Sequence, residues 1–136
     1  MTGPNTNGKK LYIQEVAPRD GFQNEKQFIE TQDKIAFINR LSASGFAKIE
    51  ATSFTSPKAI PALRDAEIVM HEIERNPDVV YTVLVPNVRG AQRALECKVD
   101  EVNLVMSVSE THNRANLRMT RSWATWSARC AAAASP

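Results

Sequence analysis

Four short apolar runs rich in β-branched and aromatic residues, each followed by a stretch of helical periodicity, constrain this chain more than any other feature. Leu11-Tyr12-Ile13-Gln14-Glu15-Val16 reads as a first strand ending at Ala17-Pro18. A helix is expected next, with Thr31 as its N-cap, Ile35, Ile38 and Leu41 on one face, and Gly45 where a glycine would end it. A strand through Lys48-Ile49-Glu50-Ala51 follows, then a loop holding Pro57 and Pro61. Ala62, Ala66, Val69, Met70 and Ile73 form the apolar stripe of a second helix, which stops near Asn76-Pro77. Val79 to Val85 is almost continuous in β-formers, as suits a parallel strand covered on both faces. Pro86 ends it, Asn87 caps a third helix that finishes near Cys97, and Glu101 to Met106 makes a fourth strand whose following loop runs into a fourth helix.

Strict alternation of this kind implies parallel strands joined by right-handed crossovers, in an open doubly wound sheet or in a (β/α)₈ TIM barrel. The five glycines, at 3, 8, 21, 45 and 90, form neither GxGxxG nor a phosphate loop, so the dinucleotide-binding sheet lacks its signature. Charged residues instead stand where strands end, Arg19-Asp20 after the first and Glu50 on the second. Catalytic groups of a barrel occupy that end. The expected fold class is therefore α/β, a parallel TIM barrel represented by about four βα units, since a whole barrel takes roughly 250 residues.

Charge and cysteine usage exclude several function classes. The chain has 17 Lys and Arg against 15 Asp and Glu, and the excess comes entirely from Arg121 and Arg129. A neutral body offers no footprint for a phosphate backbone, so no nucleic acid is expected as a partner. Cys97 and Cys130 match neither a CxxC redox pair nor zinc-ligand spacing, and read as free thiols of a reducing compartment. No run of about 18 apolar residues is present, so no membrane partner is expected. The first residues, MTGPNTNGKK, show neither a secretory nor a transit pattern and read as a disordered arm over 1–8 of a cytoplasmic protein.

Pro18-Arg19-Asp20-Gly21-Phe22-Gln23-Asn24-Glu25 gathers a guanidinium, two carboxylates and two amides within eight residues. Two readings are open: a solvated polar turn, or a site in which Asp20 offers oxygen to a hard dication while Arg19 stabilises an oxyanion. Glu50 can orient a ligand or relay a proton there, or can simply pair with Arg19 or Lys48. Asn87 aside, His71 reads as an exposed or half-buried helix residue, and His112 as a loop residue after the fourth strand on the active-site side.

The loop PRDGFQNE, together with IEATSFTSPKAIPAL, VLVPN and SETHNRANL, resembles the amino-terminal half of the 3-hydroxy-3-methylglutaryl-CoA lyase family of DRE-TIM metallolyases, over about residues 9–120. The resemblance implies a (β/α)₈ barrel that binds Mg²⁺ or Mn²⁺ and cleaves 3-hydroxy-3-methylglutaryl-CoA to acetoacetate and acetyl-CoA, a step of leucine degradation, with an acyl-CoA as small-molecule partner. It implies Asp20 as metal ligand, Arg19 and Glu50 as catalytic residues, and Gln23 and His112 as substrate-binding residues. The His-x-His pair, the Asn and the glycine-flanked Cys that complete the family's site are not found in these 136 residues. The expectation is thus an incomplete metal site, little turnover from the isolated chain, and open barrel edges through which copies can associate. Residues 121–136, with both tryptophans and Ala131 to Ala134, read as an atypical tail, either a frameshifted end or an Ala-rich helix. The alternatives are a condensing synthase of the same superfamily that joins acyl-CoA and 2-oxo acid, and a non-catalytic fragment.

Overall fold

The computed structural model describes residues 11–117; the arm at 1–8 and the tail at 121–136, with Cys130, lie outside the described residues. Four parallel strands lie in sequence order in one sheet: β1 (Gln14–Glu15), β2 (Lys48–Ser53), β3 (Val80–Val85) and β4 (Glu101–Leu104). Between and after them run α1 (Phe22–Asn24), α2 (Thr31–Ser42), α3 (Ala66–Glu72), α4 (Val88–Glu96) and α5 (Glu110–Leu117). The sequence order of neighbours leaves every connection a β-helix-β crossover, as the alternation requires.

The sheet divides its residues between two faces. Ile49 and Ala51 on β2 and Tyr81, Val83 and Val85 on β3 form one buried cluster with Ile35 and Ile38 of α2, Val69 and Met70 of α3, and Ala91 and Ala94 of α4. The Tyr81 hydroxyl donates to Ser42 Oγ at 2.8 Å, tying this face to the end of α2. In register with one another, Glu50 of β2 and Thr82 of β3 alternate with these core residues. Ala51 is an extra residue in β2, where the register shifts between Glu50 and Thr52.

Local departures from the expected elements each have a visible cause. The first strand shrinks from 11–16 to Gln14–Glu15. The strand pairing begins where Gln14 meets Lys48, the first residue of β2, and Leu11 and Tyr12, which precede it, stand 58% and 73% exposed. Glu30, not Thr31, occupies the N-cap of α2, with no side-chain capping bond. Thr31 Oγ1 donates instead to the buried carboxylate of Asp65 at 2.8 Å, an acceptor more demanding than a helix end. The second helix, expected as one piece, breaks into a 3₁₀ turn at Pro61–Leu63 and α3, because Asp65 at the junction turns its side chain to Lys34 rather than capping the helix. It ends at Glu72 rather than near Asn76, where Glu74 N donates to Asn39 Oδ1 and Asn76 N to the Tyr81 hydroxyl, both at 2.9 Å. Gly45 does adopt the left-handed region, at φ +85°. Asn87 caps α4 as expected, accepting from Gly90 N at 2.9 Å.

Candidate active site

Glu15 Oε1 at the end of β1 accepts from Val16 N and Ala17 N, both at 2.8 Å, and so turns the chain out of the sheet. A π-helical turn follows over Ala17–Gly21, with Pro18 preset for its first positions and Asp20 N returning to Val16 O at 2.8 Å. The turn carries Arg19 back over the sheet, where its Nε donates to Glu50 Oε1 and its Nη1 to Asp20 Oδ1 at 2.8 Å. Asn24 Nδ2 donates to Asp20 O at 2.7 Å and closes the loop on itself. The eight-residue segment is therefore a turn ordered by its own hydrogen bonds that aims the Arg19 guanidinium at Glu50, while Asp20, Gly21, Asn24 and Glu25 stay exposed.

Glu50 is 4% exposed, and a carboxylate so placed is stable only when its charge and lone pairs are matched. Arg19 supplies the charge. Glu50 Oε2 accepts from Asn103 Nδ2 at 2.7 Å and, more distantly, from Gln14 Nε2 at 3.5 Å. Groups from β1, β4 and the turn after β1 thus converge on the one carboxylate that β2 carries. Between the two open pairings for Glu50, the structure selects Arg19, since Lys48 pairs with Glu101. Thr82, fully buried and in register with Glu50, has a hydroxyl oxygen with no partner among the described residues.

Exposure grades this constellation from inside out: the side chains of Glu50, Arg19 and Asp20 are 5%, 17% and 55% exposed. Asp20 is thus the outermost group, tethered at Oδ1 and with no hydrogen bond at Oδ2 among the described residues. Gln23 is half-buried on α1, one turn beyond Asp20. His112 differs from expectation: it lies not in the loop but in the first turn of α5, because Ser109 Oγ accepts its N–H at the helix start. It is exposed, with Nδ1 against Ser107 Oγ, while the buried Asn113 fastens that loop by accepting from Ser107 N at 2.7 Å and donating to Ser107 O at 2.9 Å. None of the described hydrogen bonds joins His112 to Arg19, Asp20 or Glu50.

Gln14 and Asn103, which hold Glu50, are not singled out by the sequence reading. Their signal is an amide interrupting an apolar strand, LYIQEV and EVNLVM. Cys97 is buried where α4 ends, with Sγ 3.7 Å from His71 Nε2, and burial pushes its thiol pKa up, the direction that disfavours the thiolate. His71 is exposed on α3.

No group of three or more His, Cys, Asp or Glu able to hold a metal exists among the described residues. The open Asp20 oxygen is nevertheless the hard donor that Mg²⁺ and Mn²⁺ prefer, and its one carboxylate fits a share of such a site. No helix among the described residues is long and apolar enough to cross a membrane.

Comparison with known proteins agrees with this geometry. A hydroxymethylglutaryl-CoA lyase of Bacillus subtilis is 54% identical over 114 residues, which are 84% of this chain and 38% of that protein. A 3-hydroxy-3-isohexenylglutaryl-CoA/hydroxymethylglutaryl-CoA lyase of Pseudomonas aeruginosa is 44% identical over 109 residues, 80% of this chain and 36% of that one. Among solved structures, an HMG-CoA lyase of Acinetobacter baumannii in complex with coenzyme A and 3-methylmalate superposes with TM-score 0.81 at 53% identity, covering 85% of this chain and 38% of its own. The Bacillus subtilis HMG-CoA lyase superposes with TM-score 0.80 at 54% identity, covering 84% and 38%. The chain therefore spans a little over a third of the length of these relatives, and its sheet and helices correspond to part of their TIM barrel. The HMGL-like family model matches residues 10–135, nearly the whole sequence, and the chain belongs to that family.

Proposed function

We propose that this chain supplies the Arg19, Asp20 and Glu50 portion of a metal-dependent carbon-carbon lyase site that cleaves 3-hydroxy-3-methylglutaryl-CoA to acetoacetate and acetyl-CoA. One observation carries the reading: a guanidinium locked by a buried carboxylate at the carboxyl end of a parallel sheet, beside an open carboxylate. The names of the similar proteins support the substrate.

Cleavage of a β-hydroxy thioester needs loss of the proton on the tertiary hydroxyl and stabilisation of the enolate that forms as the bond breaks. A guanidinium carries five N–H donors, and among the described residues Arg19 spends only Nε and one from Nη1. The remainder can meet the thioester oxygen as it gains charge. Glu50 fixes the plane of Arg19, and Asn103 and Gln14 fix Glu50, so the donors are oriented before substrate arrives. Asp20 would hold Mg²⁺ or Mn²⁺, which supplies acidification of the substrate hydroxyl. Gln23 and His112 bind substrate in this reading, from α1 and from the start of α5. A reducing, cytoplasmic setting, association of copies through the edges at β1 and β4, and an arm, barrel half and tail over 1–8, 9–120 and 121–136 belong to the same proposal.

The test places residues 11–117 in the corresponding stretch of the Bacillus subtilis lyase and measures acetoacetate release from 3-hydroxy-3-methylglutaryl-CoA with Mg²⁺. Release that disappears in Asp20→Asn supports the proposal. A well-folded chimera that is inactive on this substrate, or that condenses acetyl-CoA with a 2-oxo acid instead, overturns it.

A further inference from the structure

Two side-chain bridges cross β3 on the face of the sheet that carries Glu50. Asn103 of β4 donates to Glu50 of β2, and Lys48 of β2 donates to Glu101 of β4. The register makes them parallel diagonals. On one side of β3, Lys48 stands opposite Val80 and Glu50 opposite Thr82; on the other, Glu101 stands opposite Thr82 and Asn103 opposite Leu84. Each bridge therefore starts and ends two residues along from the other, a separation of roughly 6.5 Å. Two consecutive hydrogen bonds through one oxygen span about that distance. Thr82 lies between the diagonals.

Thr82 is 0% exposed, and its Oγ1 is the one buried side-chain polar atom among the described residues with no hydrogen-bond partner. A hydroxyl so placed costs free energy unless something meets it. Its neighbours hold matching capacity. Among the described residues Glu50 Oε1 accepts only from Arg19 Nε, which leaves it a lone pair, and Lys48 spends one of its three N–H donors on Glu101. A water molecule offers both donors and acceptors at the size of the gap, and buried waters typically make about three hydrogen bonds to otherwise unpaired groups. We propose that one water binds between the two bridges, accepting from Thr82 Oγ1 and Lys48 Nζ and donating to Glu50 Oε1. Thr82 is then a positioning residue: through the water it fixes Glu50, and through Glu50 the guanidinium of Arg19. The water site stands on the sheet alone, and its bearing on turnover rests on the lyase reading.

Crystallography of the 136-residue chain at high resolution tests the site directly. Expected is a water within about 3.2 Å of both Thr82 Oγ1 and a Glu50 oxygen, and its loss in Thr82→Val. A dry gap, or a Thr82 hydroxyl bonded straight to a protein acceptor, overturns it. Urea unfolding gives an independent answer by its sign. Were the hydroxyl buried with no partner, its removal in the similarly shaped Thr82→Val would raise the midpoint; a hydroxyl that holds a bridging water makes the same substitution lower it. A raised midpoint overturns the proposal.

Kinetics of the chimera test the positioning role. Thr82→Val should lower kcat about tenfold with KM nearly unchanged, and Thr82→Ser, which keeps the hydroxyl, should restore most of it. Because Thr82 acts through Glu50, adding Thr82→Val to Glu50→Gln should change the residual rate far less than it changes the parent. An unaltered kcat in Thr82→Val, or equal losses in the two backgrounds, removes Thr82 from the site while keeping the lyase. A water seen on Thr82 and Glu50 beside a chimera that does not cleave 3-hydroxy-3-methylglutaryl-CoA removes the lyase reading and keeps the water site.

Discussion

Two buried ion pairs, one within the helix layer and one at the end of the sheet, use the same chemistry to opposite effect. Lys34 on α2 and Asp65 before α3 are 2% and 6% exposed, and both are hydrogen-bonded within the protein, Asp65 also accepting from Thr31 Oγ1. Lys34 Nζ donates to Asp65 Oδ1 at 2.8 Å, to Oδ2 at 2.9 Å and to Ala62 O at 2.7 Å, with the Phe28 ring centroid 4.1 Å away. Arg19 and Glu50 are paired too, but among the described residues Glu50 is matched on both oxygens while other guanidinium donors of Arg19 and one oxygen of the exposed Asp20 make no hydrogen bond. A closed network joins elements, whereas an open one has capacity left for something else to complete it.

The largest expected effect breaks the closed pair. Asp65→Ala strands the Lys34 ammonium without a counter-charge and should cost about 3–5 kcal/mol, read as a lowered urea midpoint. Replacing both partners by apolar residues, Lys34→Met with Asp65→Leu, should recover most of that loss. If the double variant is no better than the single, Lys34 and Asp65 do more than hold helices together.

Next comes the mirror experiment on the open pair. Asp20→Asn in the chimera should lower acetoacetate release by about 10³-fold, a barrier change of about 4 kcal/mol, while changing the unfolding free energy read by urea titration by about 0.5 kcal/mol or less, as for an exposed surface change. Equal damage to stability would make Asp20 a structural partner of Arg19 and erase the contrast.

The two networks were not equally legible in the sequence. The alternation of apolar runs reveals parallel crossovers because strand and helix periods are local, and Arg19, Asp20 and Glu50 are visible as charges at strand ends. The closed network is hidden, since Thr31 and Asp65 are 34 residues apart and a threonine before an apolar stripe looks like a cap. The same applies to Asn103, 53 residues from Glu50: an amide in an apolar strand is conspicuous, but its partner depends on a register spanning three strands. Leu11 and Tyr12 have strand composition but lie ahead of β1, because the register with β2 begins only at Gln14 and Lys48, a long-range fact that local composition does not carry.

Asn103 sharpens the comparison at intermediate scale. Asn103→Leu removes the 2.7 Å bond and leaves Glu50 Oε2 with only the 3.5 Å contact from Gln14. A buried acceptor so reduced should cost about 1–3 kcal/mol in stability. Because Glu50 orients Arg19, turnover by the chimera should also fall, by about tenfold with KM nearly unchanged. A stability loss with unaltered turnover would place Asn103 in the sheet alone and detach it from the site.

The smallest effect concerns a third pair, neither closed nor open. Arg93 Nε donates to Glu67 Oε1, and that hydrogen bond holds the Glu67 carboxyl below its ordinary value against the opposing pull of burial. A carboxyl whose pKa is depressed on folding stabilises the native state above its unfolded value, and loses that contribution as pH falls through the folded value. Glu67→Gln should therefore lower the urea midpoint near neutral pH and converge with the parent in acid. The Glu67 side chain is 39% exposed, so solvent and salt screening keep the difference within the range of surface ion pairs, under about 1 kcal/mol.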